Sequence, residues 1–381
     1  MKKLSVLTLI NMNPNKLGGL EEYAFHLSKE LIQRSHFAGV GFPEYPPDWL
    51  LKEFNASGIE VLKFNHFVGS LTFIRELRKT IKKYNINILH ATFYPFYSPY
   101  LIMATMGSSC KLIYSDQETR ILHPSKGLSA SFRFLRNRLY QKFINAIVAD
   151  AEFIRKCQIQ DHFTKPDKVP VIYNGVNLQR FKKANLTQRY DILAKFNISP
   201  DSYVIVAIAK CIMEKGLNYL IDAAKIIVKE RPNSVLFIIG EGPQMSLFEQ
   251  QTSALGLQDN VIFTGMRVDT ETFLSIADVF VLLSVWEEAF AFTLLEAMAS
   301  SCPVVATRIG AIPESVQDGV TGILVPPRDP QATADAILKL LNDSSLRSNM
   351  GFAGRQRVEH HFSLERWVNE TIELYEKALE K

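Results

Sequence analysis

Short apolar runs alternate with amphipathic stretches along most of the chain. Leu4–Ile10 is apolar enough to form a buried strand, and a loop rich in Asn, Pro and Gly separates it from Leu20–Arg34, where apolar residues recur at helical spacing. Further apolar runs fall at Ile59–Phe64, Ile86–His90, Lys111–Tyr114, Ala146–Ala149 and Val169–Tyr173, with helical patterns between several of them. The pattern restarts after Asn174-Gly175. Strands are expected at Tyr203–Ala209, Ser234–Gly240, Val261–Thr264, Val279–Leu283, Pro303–Ala306 and Gly322–Val325, with a helix over Leu217–Glu230. Strands alternating with helices predict an α/β fold whose parallel sheets are covered on both faces. Residues 181–200 are polar and irregular, which puts a junction near 180–200 and predicts two doubly wound domains, 1–180 and 181–362. Ligands of such sheets bind beyond the carboxyl ends of the strands, so the cleft between the domains is the expected site.

Composition narrows the class. Of 381 residues, 47% are apolar and 22% charged, which excludes a disordered chain, a collagen or a coiled coil. The 4 cysteines, at 110, 157, 211 and 302, form no close pair. That argues against a disulfide scaffold or a cysteine-based zinc site, and for a reducing compartment such as the cytoplasm. No apolar run approaches the roughly 20 residues that span a bilayer. The start, MKKLSVLTLINMNPNK, lacks a small-residue cleavage site and reads as a first strand rather than a signal peptide. Charge is uneven: residues 1–180 hold 24 Lys+Arg against 14 Asp+Glu, and the remainder holds 19 against 25. A basic half beside an acidic half suggests domains with different duties, the basic one facing nucleic acid, an anionic membrane or an anionic substrate.

The most informative stretch is Val279–Ala306, VFVLLSVWEEAFAFTLLEAMASSCPVVA. A buried strand is expected to end at Ser284, a loop carries Glu287 and Glu288, and a helix starts near Phe292. Backbone amides at Ala291–Leu294, including those of Phe292 and Thr293, could hold an anion such as a diphosphate. Glu296, in the second turn, could accept two hydroxyl hydrogen bonds from a ribose. The plainer alternative has Glu288 capping the helix and Glu296 pairing with a surface cation.

This stretch resembles the E-x7-E signature of the family-four retaining glycosyltransferases, which have the GT-B fold of two Rossmann-like domains. Other segments agree in order. Gly18-Gly19-Leu20-Glu21-Glu22 resembles the family's N-terminal glycine loop, and VIYNGVNLQRF (171–181) its interdomain segment, with Asn177 where Asp is commoner. AKCIMEKGLNYL (209–220) resembles the basic strand-loop-helix that grips donor phosphates. IGEGP (239–243), FTGMRVD (263–269) and GAIPESVQDGVTGILVP (310–326) resemble three further blocks. The tail Leu364–Lys381 resembles the family's last helix, so 363–381 is expected to pack back on the N-terminal domain.

The resemblance implies a retaining, metal-independent hexosyltransferase. It would move a sugar from a UDP- or GDP-sugar to an acceptor hydroxyl, in polysaccharide, glycolipid or glycoconjugate synthesis. Lys210 and Lys215 would neutralise the leaving diphosphate in place of a metal, so no cofactor is expected. Lys210 stands where Arg is usual, keeping the charge without the bidentate fork. Glu288 would contact the donor sugar. Gly18, Gly19, Gly240, Phe292, Thr293 and Glu296 would bind the donor, the glycines by letting backbone come close. The N-terminal domain, with the loop 115–120, would hold the acceptor. There the family commonly carries a His near the sugar, and this chain has Gln117, which cannot take a proton near neutral pH. Asp116, His123 and His90 are the alternative sugar-side groups. Ala291 and Ser301 stand where the family often has Gly.

Residues 126–142, KGLSASFRFLRNRLYQK, carry Arg133, Arg136, Arg138 and Lys142 among Phe132, Phe134, Leu135, Leu139 and Tyr140. Such a segment can rest on an anionic surface at the inner membrane face, or it can be a solvated helix whose apolar side packs on the sheet. No nucleic-acid motif accompanies the charge. Two other readings of the whole chain are a nucleotide-sugar epimerase or hydrolase of the same fold, and a non-catalytic partner of another transferase.

Overall fold

The computed structural model describes residues 3–14, 18–64, 70–117 and 128–380, with the side chains of 128–130 and 133 outside that description. The chain divides into two units, Met1–Asn174 with Glu365–Lys381, and Gly175–Leu364. The division falls at Asn174, six residues before the expected 180.

The first unit is built on strands β1 (Ser5–Ile10), β2 (Phe37–Phe42), β3 (Glu60–Lys63), β4 (Ile88–Thr92), β5 (Lys111–Asp116) and β6 (Ala146–Ala149), in the order β3-β2-β1-β4-β5-β6. All pairs are parallel, with Ser5 opposite Phe37 and Val6 opposite Ile88. β1, β4 and β6 are buried along their whole length, as strands of a parallel sheet covered on both faces must be. β2 was not expected, because FAGVGF reads like a loop. Its glycines answer to packing: a Cβ on Gly41 would fall 2.5 Å from Leu9 and 2.7 Å from Phe64. Val169–Tyr173, expected as a strand, contributes only an isolated bridge between Val171 and Ala149. Pro170 interrupts its ladder by lacking an N–H.

The last helix, Leu364–Glu380, completes this unit. The Tyr23 ring stacks on Trp367 at 3.6 Å between centroids, and its hydroxyl donates to Thr371 Oγ1 at 2.8 Å. Burial pushes the Tyr23 and Tyr375 phenols above their ordinary range.

The second unit repeats the architecture with β7 (Tyr203–Ile208), β8 (Ser234–Ile239), β9 (Val261–Gly265), β10 (Val279–Leu282), β11 (Val304–Thr307) and β12 (Gly322–Val325), in the order β12-β11-β10-β7-β8-β9. Helix Leu217–Glu230 and helix Pro330–Asn342 close its core, where Leu220, Ile227, Ile337 and Leu340 meet strand residues Ile205, Ile238 and Val281. Residues 181–200 are not irregular: Leu186–Ala194 is a helix opened by an Asn185–Gln188 capping box. Each sheet reverses its strand order once, between β1 and β4 and between β7 and β10. These are the points where loops at the carboxyl ends diverge and leave room for a ligand.

Candidate active site

In the second unit the loops leaving β7 and β8 are laced together. Cys211 N–H donates to the Glu241 carbonyl at 2.9 Å, and Gln244 N–H donates to the Cys211 carbonyl at 3.1 Å. Only glycine fits the contact points. A Cβ on Gly240, whose φ is +139°, would lie 2.0 Å from the Ala209 carbonyl oxygen, and one on Gly242 would lie 2.3 Å from that of Cys211. The lacing fixes Ala209–Cys211 and leaves Lys210 exposed at the end of β7.

Lys215 closes the same loop and meets the segment that follows β10. Gly216, at φ +66°, lets its backbone approach Leu283, while Val285 N–H donates to the Glu214 carbonyl at 2.8 Å. The Lys215 ammonium pairs with Glu288 Oε1, and the Ser284 hydroxyl donates to the same oxygen. From the other side Ala311 N–H donates to the Glu288 carbonyl at 3.0 Å, and Gly310 (φ +54°) has no room for a Cβ against Glu288 backbone. Thr307 Oγ1 holds the Ser284 carbonyl at 2.7 Å. Glu288 is thus a carboxylate with only 8% of its side chain exposed, fixed by an ammonium and a hydroxyl at the β7–β10 reversal. It does not cap the following helix. That helix, Phe292–Ala299, begins at Ala291 without a side-chain cap, and Leu294 N–H donates to the Ala291 carbonyl at 3.2 Å. Phe292, Thr293 and Glu296 are half-buried in its first two turns.

The first unit carries the other expected residues. Gly18 is the N-cap of helix Gly19–Gln33, which has no side-chain cap hydrogen bond among the described residues. Gln117, at the end of β5, is half-buried, and its Nε2 donates to Asn174 Oδ1 at 3.0 Å. Two of the expected sugar-side groups lie inside the packing instead. His90 is 1% exposed in β4, with Nδ1 2.5 Å from the Tyr375 hydroxyl and Nε2 2.7 Å from Ser115 Oγ. Burial lowers it from 6.5 to about 4, so it stays neutral. With both nitrogens engaged and no surface, His90 is a structural residue, because a buried ring must satisfy both polar atoms. Asp116 is fully buried and accepts from Gln158 Nε2 at 2.5 Å, and Gln158 in turn accepts from Thr164. Residues 118–120, the rest of the expected acceptor loop, and His123 lie outside the described residues.

Reading the sequence missed Ser284, Gly216 and Gly310 on one side and Asn174 and Gln158 on the other. Gly216 follows Lys215 directly, so the Lys-Gly pair was a usable signal. A serine at a strand end is too common to be one.

The family profile described as Glycosyltransferase Family 4 matches residues 17–180, and that described as Glycosyl transferases group 1 matches 188–357. The chain belongs to the family-four glycosyltransferases. This transferase is 26% identical over 375 residues to N-acetyl-alpha-D-glucosaminyl L-malate synthase of Bacillus anthracis, covering 95% of each chain. It is 29% identical to the capsular polysaccharide biosynthesis glycosyltransferase CapM of Staphylococcus aureus, over 71% of each chain. Its fold matches that of Anabaena HepE, solved with UDP-glucose, at a TM-score of 0.80 and 22% identity, covering 97% of the transferase and 99% of HepE. The glycosyltransferase has the GT-B fold. Among the described residues, no helix is long and apolar enough to cross a membrane.

Proposed function

We propose that the protein is a retaining glycosyltransferase that takes a sugar from a nucleotide diphosphate and needs no metal. The observation that carries this is the Lys215–Glu288 pair, held with Ser284 where the loops of β7 and β10 diverge. An ammonium has three N–H donors, and the pair uses one of them. Two remain for phosphate oxygens, and exposed Lys210 adds a second cation. Together they stabilise negative charge developing on the diphosphate as the glycosidic bond breaks, the task a metal performs elsewhere. The N-terminal end of Phe292–Ala299 adds the favourable field of a helix start to the phosphates. Glu296, one turn on, receives the ribose hydroxyls, and Glu288 the hydroxyls of the donor sugar. Gly18, Gly19 and Gly240 let backbone lie against the donor.

The acceptor hydroxyl, bound by the first unit near Gln117, attacks the anomeric carbon from the face that the diphosphate leaves. One bond to oxygen forms as the other breaks, configuration is kept, and the hydroxyl proton passes to the departing phosphate oxygen. No side chain has to take that proton, which accords with Gln117 and with a buried, neutral His90. HepE, a structural relative, binds UDP-glucose, and UDP is the first donor to test. We place the enzyme in the cytoplasm at the inner membrane face. Its four cysteines are buried and form no disulfide, as suits a reducing compartment, and the helix Leu128–Tyr140 turns apolar side chains outward.

The test is thermal unfolding and donor hydrolysis with UDP-, GDP- and ADP-sugars, with and without EDTA. Stabilisation by one nucleotide class, unchanged by EDTA, is the expected result. No stabilisation by any of them would favour a non-catalytic partner.

A further inference from the structure

The helix Leu128–Tyr140 and the short turn Gln141–Phe143 after it are inside out. A surface helix ordinarily buries its apolar stripe and exposes its polar side. Among the described side chains of 128–143, the buried ones are Asn137 and Gln141, one turn apart. Asn137 Nδ2 donates to the His162 carbonyl at 2.9 Å, Gln141 Nε2 donates to that of Phe163 at 2.8 Å, and Gln141 Oε1 accepts from Lys165 N–H at 3.0 Å. The polar face is thereby fastened to the protein. Phe132, Leu135 and Leu139, spaced three and four residues apart, are 70%, 69% and 55% exposed, and Phe143 continues the stripe. Arg136, Arg138 and Lys142 are exposed beside it, and residues 128–143 contain no Asp or Glu.

We propose that this face seats the protein on an anionic lipid bilayer. The apolar stripe enters the acyl boundary while the flanking cations meet lipid phosphates. A partner protein's apolar groove would explain the stripe, but it would not call for cations alone on both flanks. An anionic membrane surface calls for both. This specifies the membrane contact within the reading above. Vesicle binding is measured apart from nucleotide binding, so either can fail alone.

The test is co-sedimentation of the full chain with phosphatidylcholine vesicles, with and without phosphatidylglycerol. Binding is expected only with the anionic lipid, and salt should weaken it. The triple variant Phe132→Ser, Leu135→Ser, Leu139→Ser should bind at least about tenfold more weakly while unfolding at the native temperature. Arg138→Gln and Lys142→Gln should each weaken binding about fivefold. Any of three results overturns the proposal: no sedimentation with anionic vesicles, equal binding to neutral ones, or undiminished binding by the triple variant. A dimer in gel filtration that the triple variant turns into a monomer would also overturn it, by assigning the face to a second copy of the chain.

Discussion

Replacing Gly216 with alanine would put a methyl carbon 2.0 Å from the carbonyl oxygen of Leu283. Two costs add. An L-residue at φ +66° gives up about 1–2 kcal/mol. A contact that short forces the Leu283 backbone to move by more than an ångström, which on the scale of overpacking costs about 1–3 kcal/mol. Alanine's stiffer unfolded chain offsets about 0.4–1 kcal/mol. The net loss is about 2–4 kcal/mol, or roughly 5–15 °C in the melting temperature of a unit this size. The displaced residue adjoins Ser284, so the Glu288 clamp moves with it, and donor turnover should fall together with stability. Calorimetry on native protein and Gly216→Ala, with donor hydrolysis on both, checks this. A variant melting within about 1 °C of native would refute the assigned conformation. Normal melting with lost turnover would refute the link through Leu283.

Lys215→Ala should lower turnover about 10²-fold or more. It should also destabilise, because Glu288 keeps a buried charge without its cation; Lys215→Ala with Glu288→Gln should regain stability but not turnover, read by melting and single-turnover rates. Ser301 sits at φ +55°, where a side chain is strained, so Ser301→Gly should raise stability by about 0.5–1 kcal/mol; a lowered melting temperature would contradict this. His90 titrates near 4 folded and 6.5 unfolded, so the unfolded chain binds the extra proton between those values. Its contribution is complete above pH 6.5 and falls by about 3 kcal/mol as the pH drops toward 4, and His90→Asn should flatten that part of the slope in urea titrations.

What could be read in the sequence was what hydrophobic contrast makes visible. β6, β7, β10 and β12 are apolar runs, and β1 and β8 nearly so, and the structure places each within a residue or two of expectation. β2 escaped because Gly39 and Gly41 make room for neighbours that lie far off in the chain, including Phe64. Leu186–Ala194 escaped because a helix with one buried residue, Leu193, shows no apolar stripe. The site divided along the same line. Lys210, Lys215, Glu288 and Glu296 stand out by charge beside apolar runs. Ser284 and Gly310 matter only through contacts that folding creates. His90 and Asp116 carried the right chemistry for a sugar site, but nothing local to them foretold that Tyr375 and Gln158 would enclose them.

The chain leaves the first unit at Asn174 and returns at Glu365. The order of synthesis therefore differs from the order of completion. While the ribosome makes the second unit, the first has its six strands but lacks Trp367 against Tyr23, and His90 lacks the hydroxyl of Tyr375. Those partners arrive only after the second unit has been translated. A nascent or truncated chain ending before 365 would present the bare face of Tyr23 and an unmet ring nitrogen on His90 to chaperones and proteases. Of the two units, the one begun earlier is completed later.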